Sequence, residues 1–71
     1  MKITNSKTFG EAVKNRRKQL GYTQKDMSEF LGVSISFLSD LENGKKTIEL
    51  EKALLVANTL GLDVELNERG Q

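Results

Sequence analysis

Residues 23–45, TQKDMSEFLGVSISFLSDLENGK, hold two short helical patterns separated by a tight turn. Thr23 suits the N-cap of a helix over 24–31, in which Met27, Phe30 and Leu31 recur at helical spacing. Gly32 stops that helix, because glycine accepts positive φ without a steric cost. Ser34 then caps a second helix over 35–43, with Leu38 and Leu41 three apart on one face and Gly44 in a C-cap position. Only a turn fits between Leu31 and Ser34. The two helices therefore meet at a steep angle, and the second turns Ile35, Ser36, Ser39 and Asp40 to solvent.

Two more helices flank this pair. The spacing predicts one over 6–20, capped by Asn5, or by Thr8 with Glu11 three residues on as a capping box. Its apolar stripe is Phe9, Ala12, Val13 and Leu20, and Gly21 ends it. Another is expected over 48–60, capped by Thr47, with Leu50, Ala53, Leu54, Ala57 and Leu60 on one face and Gly61 at its end. Leu55 and Val56 fall outside that stripe. The helix thus carries more apolar surface than one small core needs, and part of it is expected to face a second subunit.

The tail changes period. Leu62, Val64 and Leu66 alternate with Asp63, Glu65 and Asn67, which predicts a strand over 62–67. A lone strand leaves its backbone groups unpaired, and the N-terminal MKI is short. The same strand of a second copy is the economical partner, in a two-fold antiparallel ribbon; a frayed, extended terminus is the alternative. The expectation is one domain over 1–71, all-α with one C-terminal β-strand that pairs across a homodimer.

Composition narrows the function. At 71 residues the chain is near the size where a single core is marginal, which also favours a dimer. It has no cysteine, so neither a disulfide framework nor a thiolate metal site is available. Histidine is absent too, and no phosphate-cradling glycine loop or nucleophile elbow appears, so neither an enzyme nor a cofactor is expected. No apolar run is long enough to span a membrane, and MKITNSKTF lacks the apolar core of a signal peptide, so a cytoplasmic location is expected. The net charge of +1 hides an uneven distribution. Residues 1–25 balance at +6, residues 26–46 at −2 and residues 47–71 at −3. That asymmetry is consistent with a basic face for phosphates, or with ordinary solvated helix surface.

The chain resembles the Xre/Cro-like helix-turn-helix family across residues 9–61, through RRKQLGYTQ (16–24), the LGVS turn (31–34) and LENGK (41–45). More narrowly, LSDLENGKKTIELEKALLVANTLGLDVEL (38–66) is similar to HipB-like antitoxins, whose fourth helix leads directly into a dimerising strand. The resemblance implies a four-helix, lambda-repressor-like domain that places its third helix in the major groove of DNA. It also implies a homodimer on a palindromic operator, at the nucleoid, and a HipA-like serine/threonine kinase toxin as partner.

Site residues follow position by position. Gln24, at the start of the second helix, matches a glutamine that bonds phosphate and braces the reading residues, and Lys25 follows it. Arg17 matches an arginine that pairs with the glutamate of the LEN motif, here Glu42, as a structural ion pair. Asn43, Lys45 and Lys46 match positions that touch the DNA backbone. The base-reading set is Ser34, Ile35, Ser36, Ser39 and Asp40. Serine reads bases loosely, Ile35 suits a thymine methyl, and Asp40 either accepts from cytosine N4 or orients a neighbouring lysine. Many relatives carry Gln, Arg or Lys on this face, and this chain carries no base there. Leu55, Leu62, Val64 and Leu66 are the dimer residues.

Ser28 stands where relatives usually have alanine. Phe30 stands at a usually polar position and is expected to tuck against the first helix, with an exposed partner patch as the alternative. Phe37 is read as packing. The first functional expectation is a repressor and antitoxin that occupies its own promoter, with half-sites about 34 Å apart. The other is a protein-interaction module of the same fold, neutralising a partner through Phe30 or the acidic C-terminal half.

Overall fold

Asn5 starts the first helix. Its side chain accepts from the Thr8 amide at 2.8 Å, and Thr8 Oγ1 accepts from the Asn5 amide at 3.2 Å, so the box closes through Thr8 and Glu11 has no part in it. A computed structural model, which describes residues 2–70, places four helices in order: α1 (Ser6–Gln19), α2 (Gln24–Leu31), α3 (Ile35–Glu42) and α4 (Leu50–Thr59). No described helix is long and apolar enough to cross a membrane.

Thr23 begins α2 with a second reciprocal box: its hydroxyl accepts from the Asp26 amide at 3.0 Å, and the Asp26 carboxylate accepts from the Thr23 amide at 2.9 Å. Two donors that a helix end leaves unpaired are thereby satisfied. We expect Thr23→Ala to cost about 1 kcal/mol, within the 0.5–2 kcal/mol typical of such caps. Urea unfolding reads this directly, and an unchanged midpoint would mean that the box is idle. Gly32 closes α2 with φ of +70°, the left-handed conformation that the turn requires. Ser28 Oγ donates to the Val33 carbonyl across that turn, so serine here supplies a bond that alanine lacks.

The core draws on every element: Val13 from α1, Met27 from α2, Val33 from the turn, Leu38 and Leu41 from α3, Ala53, Val56 and Ala57 from α4, and Leu60 from its C-cap. Burying each Val, Leu or Met contributes roughly 1.5–3 kcal/mol relative to exposure. Phe9, Leu31, Phe37, Ile48 and Leu62 pack around this centre.

Several expectations are corrected. Among the described residues there is no β-strand: after Leu60 and Gly61 the backbone of residues 62–70 takes no regular structure. The expected strand over 62–67, and its pairing across a homodimer, are therefore not supported. Alternation of side chains sets which way they point, whereas a strand exists only where a ladder satisfies its amides and carbonyls. Leu62 turns back onto the core, and Val64 and Leu66 are 47% and 98% exposed.

Thr47 does not cap α4. Ile48 is anchored against the core, the chain runs extended through Glu49, and the helix begins two residues later with no side-chain cap. α4 and its C-cap consequently bury Ala53, Val56, Ala57 and Leu60, a set spaced i, i+3, i+4, i+7. Val56 is central at 0% exposure, while Leu50, expected inside, is 67% exposed. Two alanines lie on the inner face, and Leu50 and Leu55 lie outward. Leu20, read as part of the α1 stripe, is an exposed C-cap. Phe30 is 59% exposed and does not tuck against α1; it meets Tyr22 edge to face at 5.3 Å between centroids.

Candidate nucleic-acid interface

The surface around α3 is held from behind. Its inner face sends Leu38 and Leu41 into the core and buries Glu42. Arg17, on α1, meets Glu42 through two parallel bonds, Nε to Oε2 at 2.7 Å and Nη2 to Oε1 at 2.9 Å. Its remaining nitrogen, Nη1, donates to the Tyr22 carbonyl at 2.8 Å. Gln24 Nε2 donates to the same Glu42 carboxylate at 3.1 Å. One carboxylate thus ties α1, the start of α2 and the end of α3 into a single unit. The hydrogen bond to Glu42, with their charge attraction, raises the Arg17 pKa above its ordinary value against the opposing effect of burial. The fork is therefore charged throughout the physiological range.

A second contact fixes the angle between α1 and α3. Gly10 is buried in the middle of α1, facing the last carbonyls of α3; a Cβ added there would fall on the Leu41 carbonyl and 2.9 Å from that of Glu42. A glycine inside a helical pattern was the only sequence signal for this approach. Ser6 Oγ also donates to the Gly44 carbonyl at 3.0 Å, which pins the first turn of α1 beside the turn after α3.

The outer face of α3 carries the residues assigned to base reading. Ser34, Ile35 and Ser36 are exposed, and Ser39 and Asp40 are half-buried. Ser34 Oγ accepts from the Phe37 amide at 2.9 Å, so the hydroxyl caps the helix and still has a proton to donate outward. Asn43 is exposed, with Nδ2 3.4 Å from Ser39 Oγ. Asp40 lies 3.4 Å from Lys45 Nζ in an ion pair open to solvent, worth under about 1 kcal/mol at such exposure. Lys25 and Lys46 are exposed and form no ion pair among the described residues. The arrangement offers hydroxyl donors and acceptors, one apolar side chain and one carboxylate to a groove.

The dimer residues are not brought together in the same way. Leu55 lies on the outer face of α4 at 45% exposure, beside Leu50, Leu54 and Asn58. Leu62 is engaged with the core, and Val64 and Leu66 extend into solvent.

Composition overstated the basic N-terminal third. Two of its seven bases are committed to the fold, Arg17 as above and Arg16, whose Nε donates to the Leu60 carbonyl at 2.9 Å and closes the end of α4. Nothing in the sequence marked Arg16 as different from the lysines around it.

The chain matches the helix-turn-helix family over residues 13–67. It is 31% identical over 70 residues to an uncharacterized HTH-type transcriptional regulator, y4mF, of Sinorhizobium fredii, covering 99% of this chain and 92% of the relative. Its fold is similar to that of a HipB-O1-O2 complex, with a TM-score of 0.87, 25% identity, and coverage of 96% of this chain and 99% of the other. A chain in a HipA-HipB-O2-O3 complex superposes equally well, with a TM-score of 0.87 at 24% identity over 99% of each chain.

Proposed function

The chain belongs to the helix-turn-helix family of transcriptional regulators, and from that membership we propose that it is a sequence-specific repressor of its own promoter and the antitoxin of a toxin-antitoxin operon. The observation that carries the first half is the braced, outward face of α3. Ser34, Ile35, Ser36, Ser39 and Asp40 enter the major groove, while Gln24, Lys25, Asn43, Lys45 and Lys46 meet the flanking phosphates. The antitoxin half is supported by the similarity to HipB, which is found in complex with HipA. A HipA-like serine/threonine kinase is the proposed toxin. Two copies occupy a palindrome, joined through the leucines exposed on α4, Leu50 and Leu55.

Repression needs no chemistry beyond occupancy. With no basic side chain on the reading face, affinity comes from phosphate contacts, from the avidity of two half-sites and from DNA shape. The Tyr22–Phe30 pair favours one other reading, in which this aromatic surface binds a protein partner and specific DNA binding is lost.

The deciding experiment titrates the protein onto its own promoter duplex and a scrambled duplex at two salt concentrations. Tight, salt-sensitive binding that prefers the promoter, with two chains per site, is expected. Equal, weak binding to both duplexes would leave the partner-binding reading. Asp40→Asn is expected to tighten binding to the scrambled duplex several-fold, since it removes the only negative charge on the reading face and frees Lys45 for phosphate. Weaker binding to both duplexes would instead show that the Asp40–Lys45 pair itself holds the interface together.

A further inference from the structure

Three lysines of α1 remain outside the interface described above. Successive helical residues turn by about 100°, so Lys7, Lys14 and Lys18 fall within roughly 40° of arc on one side of the helix. That side is fixed by two lines of contact. Gly10 and Arg17 face the end of α3, through the carbonyls of Leu41 and Glu42 and the Glu42 carboxylate. Val13 is buried in the core, and Arg16 reaches the end of α4. Passing around α1 from α4 to α3 and onward, the next side chains are the three lysines. They therefore edge the α3 C-terminus on the side away from α4.

One close contact anchors that edge, and a bonded cluster lies next in the chain to its other end. A Cβ on Gly44 would come 2.7 Å from Lys7 Cα, so the backbone of Lys7 rests on the turn that precedes Lys45 and Lys46. At the other end, Lys18 follows Arg17, whose guanidinium joins Glu42, itself bonded to Gln24. Lys7 and Lys18 are exposed and Lys14 is half-buried. None forms an ion pair among the described residues, although Glu11 shares the outer margin of the stripe and lowers its charge by one.

We propose that Lys7, Lys14 and Lys18 form a second phosphate-binding edge, which carries the DNA backbone past the α2–α3 unit and along α1. This rests on the DNA-binding reading above. A point charge on a flexible stem suits a phosphate line without reading sequence, so the edge supplies affinity and leaves specificity to α3.

The test measures binding to the promoter duplex across a salt series for the wild type, for a triple variant Lys7→Gln/Lys14→Gln/Lys18→Gln, and for a control double variant Lys2→Gln/Arg69→Gln, with urea unfolding of each. Each lost phosphate contact lowers the slope of log affinity against log salt by about 0.9. The triple variant is expected to lose about 2–3 from the slope on promoter and scrambled duplex alike, with its unfolding midpoint unchanged and the control within about 0.5 of the wild type. A steep wild-type slope that the triple variant retains overturns the proposal alone. So does a loss matched by the control, which would reflect net charge only. A wild-type slope near zero overturns the DNA-binding reading and this edge with it. Single variants then apportion the loss among the three positions should the triple variant unfold more easily.

Discussion

Arg17→Ala is expected to remove much of the stability of the fold. A 71-residue domain has roughly 4–10 kcal/mol to lose, at the usual stability per residue. Removing one partner of a buried ion pair costs about 3–5 kcal/mol, because the other charge stays buried without compensation. Here that charge is Glu42, 6% exposed and left with Gln24 as its only side-chain donor among the described residues. The Tyr22 carbonyl loses its donor as well. At about 4–8 °C per kcal/mol for a domain of this size, the unfolding temperature should fall by more than 12 °C. Arg17→Lys should recover only part of this, since one ammonium cannot reproduce the fork to two carboxylate oxygens and a carbonyl. Adding Glu42→Ala to Arg17→Ala should cost far less than it does in the wild type, the mark of coupled residues. A loss below about 1 kcal/mol for Arg17→Ala would show that Glu42 finds water or another donor, and that the brace on α3 is dispensable.

Gly10→Ala is the second large effect, and its sign opposes helix propensity. In the interior of α1 alanine gains about 1 kcal/mol over glycine. That gain is outweighed because the new methyl meets backbone, the Leu41 and Glu42 carbonyls, and no rotamer change removes the overlap. Overpacking of this kind costs typically about 1–3 kcal/mol, and relief requires α3 to tilt or slide away from α1. A net loss of up to about 2 kcal/mol is therefore expected, after the propensity gain is taken off. Because the motion displaces the same helix end that carries Glu42 and Asn43, promoter affinity should fall even at temperatures where the variant is folded. Unfolding by urea, paired with a promoter titration at low temperature, separates the two consequences. A variant more stable than the wild type would mean that α1 and α3 do not approach as described.

The pairing of Arg17 with Glu42 is legible in the sequence, and the close approach at Gly10 is not. Arg17 and Glu42 were paired from sequence through the RRKQ and LEN segments, by resemblance to a family rather than by any local rule. At Gly10 the sequence shows only a glycine inside a helical pattern, which carries no signature of what lies opposite. The caps at Thr23 and Ser34 and the turn at Gly32 were legible because they are local: a side chain bonds an amide three residues on, or one residue must hold positive φ. The Thr47 cap failed for the opposite reason. Its hydroxyl had the right chemistry, but Ile48 found better burial with the chain extended, and the helix started later.

Period alone also separated what could be read from what could not. In α3 the inner face was clear, because leucines three apart between two caps admit one orientation. In α4 nearly every residue from Leu50 to Ala57 is apolar apart from Glu51 and Lys52, so several stripes compete, and the neighbouring helices chose the one with two alanines. The tail alternated like a strand and forms none among the described residues, since pairing depends on what lies beside it.

By itself, then, the sequence determined the number of helices, the turn that joins α2 to α3, the outward face of α3 and the absence of thiol or imidazole chemistry, all of them properties of composition or of residues within a few positions of one another. Only the tertiary structure decided which face of α4 is buried, that Phe30 stands in solvent beside Tyr22, that Arg16 belongs to the fold while the lysines around it stay at the surface, and that the tail joins no ladder among the described residues. Each of those outcomes depends on atoms brought together from distant parts of the chain, and burial, steric overlap and hydrogen-bond pairing are set by those neighbours.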